Sequence, residues 1–262
     1  MKINSNYGYL SSAKITQTPK YNTISFSQNN QDSFEKASPV VKKNSIFASV
    51  LALFKGGADK EKLIQEEKNH ILSIIEIDNN YEKTASDYVK KSVILPKNLK
   101  QNYLDAIEGL DNYQYNATLI NTFLRKISSQ ARLDKLLTDV YEGSNVPYFL
   151  YGGYDLLSNP LSEDTVVYRK VYEDDDFKPS WSVGEIFCEK AFTSTSLKKN
   201  GADFYLNSQY YGKEPIHLNI ILPKGAKVIK SARMKEVLLK NNSSFEVIDF
   251  DKNTNTYTMK LL

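Results

Sequence analysis

Thr165-Val166-Val167-Tyr168-Arg169-Lys170-Val171 is the stretch at which the chain changes period. β-Branched and aromatic side chains crowd it, the composition of a strand. Upstream, from Asp59 to about Tyr141, apolar residues recur at helical spacing. Leu63, Ile71, Ile74 and Ile75 mark a first helix, and Pro96 breaks the chain. Tyr103, Ile107 and Leu110 carry a second helix. A third begins near Tyr115 and holds Leu119, Ile120, Phe123, Leu124 and Ile127. Leu133, Leu136, Leu137, Val140 and Tyr141 make a fourth. Downstream of the quoted stretch, β-rich runs follow at 191–196, 216–222, 227–229, 237–240, 244–249 and 256–261, with polar residues 251–255 as the loop of a last hairpin. Helices first, then strands with no helices between them, predict an α+β fold rather than a doubly wound parallel sheet. A Gly-x-Gly-x-x-Gly dinucleotide fingerprint is absent, and no internal repeat is visible.

Residues 1–45 differ in composition. They are rich in Ser, Asn, Gln, Thr and Lys, and no acidic residue precedes Asp32. So few large apolar groups do not offset the entropy of ordering, so a disordered leader is expected there. At 46–57 a short amphipathic helix and linker are expected. Ile46, Phe47, Val50, Leu51 and Phe54 share one helical face, Ser45 is placed to cap it, and Gly56 and Gly57 to end it. Docking on the folded part and lying on a membrane surface are both open for this helix. Residues 58–262 are expected to form one folded domain, with helices to about 141 and strands from about 165.

Composition excludes several classes of function. With 34 basic and 31 acidic side chains, the net charge is +3, too balanced to make nucleic acid or a membrane the main partner. Cys188 is the only cysteine, which rules out an intrachain disulfide, and it reads as a small buried hydrophobe. Two histidines, His70 and His217, give poor support to a zinc site, so no metal is expected. No apolar run reaches the roughly 20 residues of a membrane span, and Met1-Lys2-Ile3-Asn4-Ser5 does not read as a secretory signal.

Chemistry is concentrated in three pieces of the β-rich half. Val166-Val167-Tyr168-Arg169 ends an apolar run in an aromatic and a guanidinium. Phe192-Thr193-Ser194-Thr195-Ser196 closes in hydroxyls. Met234-Lys235-Glu236-Val237-Leu238-Leu239 opens an apolar run with a carboxylate. In this order and approximate spacing the set resembles the ADP-ribosyltransferases of the Arg–Ser–Glu type, which include bacterial exotoxins and effectors. Two further pieces fit that pattern. Tyr115-x-x-x-x-Ile120-Asn121-x-x-Leu124-Arg125 is similar to the family's helix ahead of the catalytic strands. Pro223-Lys224-Gly225-Ala226 is similar to its turn before the target-recognition loop. The resemblance spans about residues 100–250.

The resemblance implies a helical N-terminal part followed by two packed, mainly antiparallel β-sheets around an NAD cleft. It implies NAD+ as co-substrate, with no metal, and a host protein as acceptor, served by a monomer. It also implies a secreted bacterial effector acting in the host cytosol without a cleavable signal peptide. Glu236, Ser194 and Arg169 take the catalytic positions. A carboxylate suits heterolysis of the nicotinamide–ribose bond, which develops positive charge on the sugar. A planar guanidinium such as Arg169 grips a pyrophosphate with paired hydrogen bonds. Tyr168, Ser194, Thr195 and Ser196 are expected around the dinucleotide, with an aromatic from Phe204, Tyr205, Tyr210 and Tyr211 on the nicotinamide ring. Arg233, Met234 and Lys235 fall in the target-recognition loop.

Each residue also has a structural reading. Arg169 pairs with an acidic group of Asp174-Asp175-Asp176, the hydroxyls of 194–196 simply end a strand, and Glu236 is a solvated strand-end carboxylate. The chain departs from the family at Met234. Arginine-modifying members carry Glu there and asparagine-modifying members Gln, and a thioether accepts hydrogen bonds only weakly. A serine or threonine hydroxyl is therefore expected as acceptor rather than arginine, a threonine of ubiquitin being one candidate. An NAD+ glycohydrolase toxin and a non-catalytic binding module of the same fold remain as alternatives.

Overall fold

A computed structural model of the protein describes residues 57–126, 145–172, 180–199 and 214–262. The expected leader, most of the amphipathic segment, the fourth helix and the loop aromatics Phe204, Tyr205, Tyr210 and Tyr211 lie outside the described residues.

Helix α1 (Gly57–Ile77) buries Ile71, Leu72, Ile74 and Ile75 near its C-terminal end. Helix α2 (Tyr81–Lys91) buries Tyr81, Ala85, Ser86 and Val89, one face at helical spacing, and ends in Lys90 and Lys91, which suit the negative end of its dipole. Helix α3 (Lys97–Lys126) follows Pro96 and unites the expected second and third helices. The boundary read between them is a kink at Asn116, whose backbone leaves helical values while its side-chain amide donates to the carbonyl of Asn112 at 2.9 Å. A side chain that competes with the helical ladder in this way bends the helix without ending it. Gly109 lets the next segment approach α3: a Cβ there would stand 2.4 Å from the Asn145 carbonyl oxygen. That segment winds through Val146–Tyr148, a wide π-type turn Phe149–Gly153 and Tyr154–Leu157.

The strands are β1 (Asn159–Pro160), β2 (Thr165–Val171), β3 (Ile186–Glu189), β4 (Thr193–Ser196), β5 (Ile216–Leu222), β6 (Lys227–Ser231), β7 (Glu236–Leu239), β8 (Ser243–Asp251) and β9 (Thr256–Leu261). They connect in the order β1-β6-β7-β4-β2-β5-β9-β8-β3, antiparallel throughout except for β5 beside β9. The fold is α+β, with helices preceding a mixed, mostly antiparallel sheet.

Two cores result. One packs the helices on the sheet through Ala191, Phe192, Ile229 and Leu238. The described members of the other all lie on strands or the loops beside them, and they include Val228, Val237 and Leu239 together with Phe245, Val247 and Met259. These come from opposite ends of the strand order, so the sheet buries this core between its own halves. β7 belongs to both cores: Val237 and Leu239 face the sheet core and Leu238 the helical one, as a period of two requires. Glu236 shares the parity of Leu238, which directs it toward the helices.

Cys188 departs from its expected burial. It lies exposed on β3, the last strand in the order, which has a neighbour on one side only.

Candidate active site

Glu236 opens β7 immediately after a tight 3-10 turn, Arg233–Lys235. Lys235 takes φ of 49°, a left-handed conformation uncommon outside glycine, and Glu236 then returns to an extended backbone. The turn is tied down on both sides. The Ala232 amide donates to the Ile75 carbonyl of α1 at 2.9 Å, and the Lys235 amide to the Ala232 carbonyl at 3.1 Å. Across the ladder Glu236 stands opposite Ser196 on β4 and Ser231 on β6.

The carboxylate of Glu236 is buried, at 4% exposure. Its Oε1 accepts the hydroxyl of Ser194, and its Oε2 accepts Nε2 of Gln114 at 2.8 Å. Arg169, on β2, donates from Nη1 to the backbone carbonyl of Ser194 at 3.0 Å. Guanidinium, hydroxyl and carboxylate, distant along the chain, thus converge. Burial pushes the Glu236 carboxyl above the usual carboxylate range, while the Ser194 and Gln114 hydrogen bonds and the Arg169 charge pull the other way without cancelling it.

The other residues of the pattern support this centre. Tyr168 pairs with Ser196 in the single link between β2 and β4. Thr195 is buried and its hydroxyl donates to the Val237 carbonyl at 2.6 Å, which locks β4 on β7. The Ser196 hydroxyl accepts the Lys198 amide at 3.1 Å and shapes the strand end. In the turn, Arg233 makes an ion pair with Asp111 of α3, and its guanidinium lies over the rings of Tyr81 and Tyr115, 4.9 and 5.1 Å from their centroids. Lys230 pairs with Glu76 at 3.5 Å. Lys235 is exposed, and Met234 lies between it and Arg233 in the turn.

The helix over 115–125 that the resemblance marked forms a wall of the site, but the sequence did not indicate which groups its side chains hold. The side chain of Asn121 accepts the Phe192 amide at 3.2 Å and donates to the Tyr113 hydroxyl at 3.1 Å, which fixes the approach to β4. Arg125 forks onto Glu189, with Nε 3.1 Å from Oε1 and Nη2 3.2 Å from Oε2, and Glu189 also accepts the Ala191 amide. Gln114 carried a usable signal. Tyr103, Ile107, Leu110, Gln114 and Asn121 follow one another at helical spacing, and a polar side chain on an otherwise apolar stripe must find a buried partner.

No family model and no curated protein matches the chain. Solved structures of bacterial ADP-ribosyltransferase toxins are similar to it. The C3 exoenzyme of Clostridium limosum shares 20% identity over 60% of this chain and 85% of its own, with a TM-score of 0.43. An ADP-ribosyltransferase of Clostridium botulinum shares 17% over 71% of this chain and 97% of its own, also at 0.43. Vis toxin, an ADP-ribosyltransferase of Vibrio splendidus, shares 13% over 79% and 85%, again at 0.43. At such identities and TM-scores, the function must be read from the side chains described above.

Proposed function

We propose that the protein is a mono-ADP-ribosyltransferase that cleaves NAD+ and transfers ADP-ribose to a hydroxyl of another protein. The observation that carries this reading is the convergence of Arg169, Ser194 and Glu236: the Ser194 hydroxyl on the carboxylate, and the Arg169 guanidinium 3.0 Å from the Ser194 carbonyl. The set fits the dinucleotide. Arg169 supplies a planar cation for the pyrophosphate, in the company of Tyr168 and Ser194, while Thr195 and Ser196, both buried, hold the end of β4 rather than meet the dinucleotide as expected. Ser194 orients Glu236, and the ionised carboxylate stabilises the positive charge that grows on the ribose as nicotinamide departs with the bonding electron pair. The acceptor oxygen then bonds to the ribose carbon and releases its proton to solvent, so nicotinamide and one proton leave for each ADP-ribose transferred.

Low exposure supports this role for Glu236, because a charge held out of water acts more strongly on a neighbouring charge. Met234 supports a hydroxyl acceptor over arginine, since the side chain two positions before Glu236 brings no charge to hold a guanidinium. Arg233, Met234 and Lys235 stand on the turn that would meet the target, and an effector or toxin acting inside a host cell is the setting we infer. By the resemblance, an aromatic among Phe204, Tyr205, Tyr210 and Tyr211 would pack on the nicotinamide ring.

Labelled NAD+ incubated with the protein and a host-cell lysate tests the proposal, with ubiquitin included as one defined acceptor. Label on discrete proteins, mapped to serine or threonine, is the expected result. Label on arginine alone refutes the acceptor class. Free ADP-ribose without labelled protein identifies a glycohydrolase, and intact NAD+ identifies a binding module.

A further inference from the structure

Gln114 reaches Glu236 across 122 residues of chain and lies outside the strand pattern that marks the site. Its orientation is set by a second contact. The hydroxyl of Tyr81 donates to Oε1 of Gln114 at 2.9 Å, which leaves Nε2 to face the carboxylate. The reversed amide would point oxygen at oxygen on one side and leave a donor facing the Tyr81 hydroxyl on the other. Both residues are buried, Gln114 at 6% and Tyr81 at 0% exposure, so water does not replace either contact. The same Tyr81 ring lies beneath the Arg233 guanidinium, and Arg233 is held by Asp111, one turn before Gln114 on α3. Helices α2 and α3 therefore grip the Glu236 side chain and the turn that delivers it.

We propose that Gln114, aligned by Tyr81, is a positioning residue that fixes the orientation of the Glu236 carboxylate for its reaction with NAD+. This inference rests on the transferase reading. Ser194 holds one carboxylate oxygen and Gln114 the other, so loss of Gln114 frees the group to turn about its last bond. A buried carboxylate deprived of a donor also holds its proton to higher pH. The groups facing it are Tyr81 from α2, Tyr113 from α3, Tyr154 from the segment before β1 and Arg169 from β2, with Asp111 and Arg233 behind Tyr81. Burial pushes all three tyrosines up, so they stay neutral through the range in which the carboxyl titrates.

Gln114→Met keeps length and helical fit while removing the donor. A hydrogen bond to a charged group corresponds to a kcat loss of roughly ten- to hundredfold. KM for NAD+ should stay within about twofold, since the lost contact orients a charge and does not hold substrate. The acid limb of the pH–rate profile moves to higher pH. Tyr81→Phe moves the same quantities in the same direction by less, because the amide remains but is free to flip. The Glu236 carboxyl is followed independently by carbon-13 NMR of glutamate-labelled protein, with Glu236→Gln assigning the resonance, so its titration is read with or without turnover. Wild-type protein that leaves NAD+ intact overturns the transferase reading, and with it any role in that reaction. If wild type turns over and both variants keep its pH profile and its Glu236 titration, the positioning role is overturned and the transferase reading stands. Melting curves establish that each variant is folded, and should Gln114→Met fail to fold, Tyr81→Phe decides by the same criteria.

Discussion

Replacing Glu236 with glutamine separates the charge of the buried side chain from its shape. The carboxylate accepts the Ser194 hydroxyl on one oxygen and the Gln114 amide on the other, the latter at 2.8 Å. Glutamine keeps the length and one acceptor but turns the second oxygen into a donor. The Gln114 amide stays aligned by Tyr81, so the new amide keeps its oxygen toward Gln114 and turns its N–H toward Ser194, whose hydroxyl rotates to accept. The change to the network is then confined to Ser194, and loss of the negative charge is the main effect. Removing one electrostatic stabiliser from a dry site costs about 2.7–4 kcal/mol of barrier, roughly 100–1000-fold in kcat. Stability moves the other way. Burial holds the Glu236 carboxyl above its unfolded value, so the folded state binds the proton more tightly. Stability is therefore lost as pH rises from the ordinary carboxylate range through the folded value, and above that window the whole cost is present. Glu236→Gln should melt above wild type at pH 7.5, each kcal/mol of relief being worth about 2–4 °C in a domain of this size. The gap should close as the pH falls toward 4. Nicotinamide release from NAD+ and thermal melts at both pH values make the assay. Near-normal turnover in the variant, or a lower melting point than wild type at pH 7.5, refutes the reasoning.

Other consequences are independent of that one. Gly109→Ala brings a methyl 2.4 Å from the Asn145 carbonyl and 2.7 Å from the Phe149 Cβ, so the 145–153 segment must shift, and a loss of about 1–3 kcal/mol should appear in urea denaturation; an unchanged midpoint would mean that the segment does not lie against α3. Arg125→Leu removes the fork onto Glu189, which is mostly shielded, with side-chain exposures of 28% and 15%; about 1–2 kcal/mol of stability should go, with the loss reduced in high salt. Arg233→Ala releases the turn ahead of Glu236 from Asp111, Tyr81 and Tyr115, so it should slow NAD+ cleavage several-fold even without a protein acceptor; an effect confined to KM for the acceptor would show that the arginine serves only the target.

Much of the fold was legible because local periodicity reports burial directly. The runs at 165–171, 216–222 and 256–261 coincide with β2, β5 and β9, whose buried faces impose a period of two. β3 was not legible. In Ile186-Phe187-Cys188-Glu189, Ile186 and Cys188 are exposed and Phe187 only half-buried, so the apolar residues follow no burial signal. The same edge explains why Cys188 was misjudged: residue type suggests burial, while the edge decides exposure. Arg169, Ser194 and Glu236 were read from their order along the chain and from the resemblance that order carries. What makes Glu236 a buried charge, however, is its contact with residues 42 and 122 positions away, and no local pattern contains a contact of that kind.

That distance bears on what the helices do. Taken by their sequence, α1 to α3 precede the chemistry and serve as scaffold. In the folded chain β4 and β7, which carry Ser194 and Glu236, lean on them. Phe192, at the head of β4, is held by Asn121; the link from β3 into β4 is clamped by Arg125; the turn before β7 is tied to Ile75 and Asp111; and Glu236 itself is held by Gln114. Strands alone would leave one oxygen of the carboxylate without its protein donor and open the buried side of the site to water, which would screen the charge that the proposed reaction uses. The helical half is therefore the second wall of the site, and the change of period near residue 165 divides the chain by secondary structure without dividing it by function.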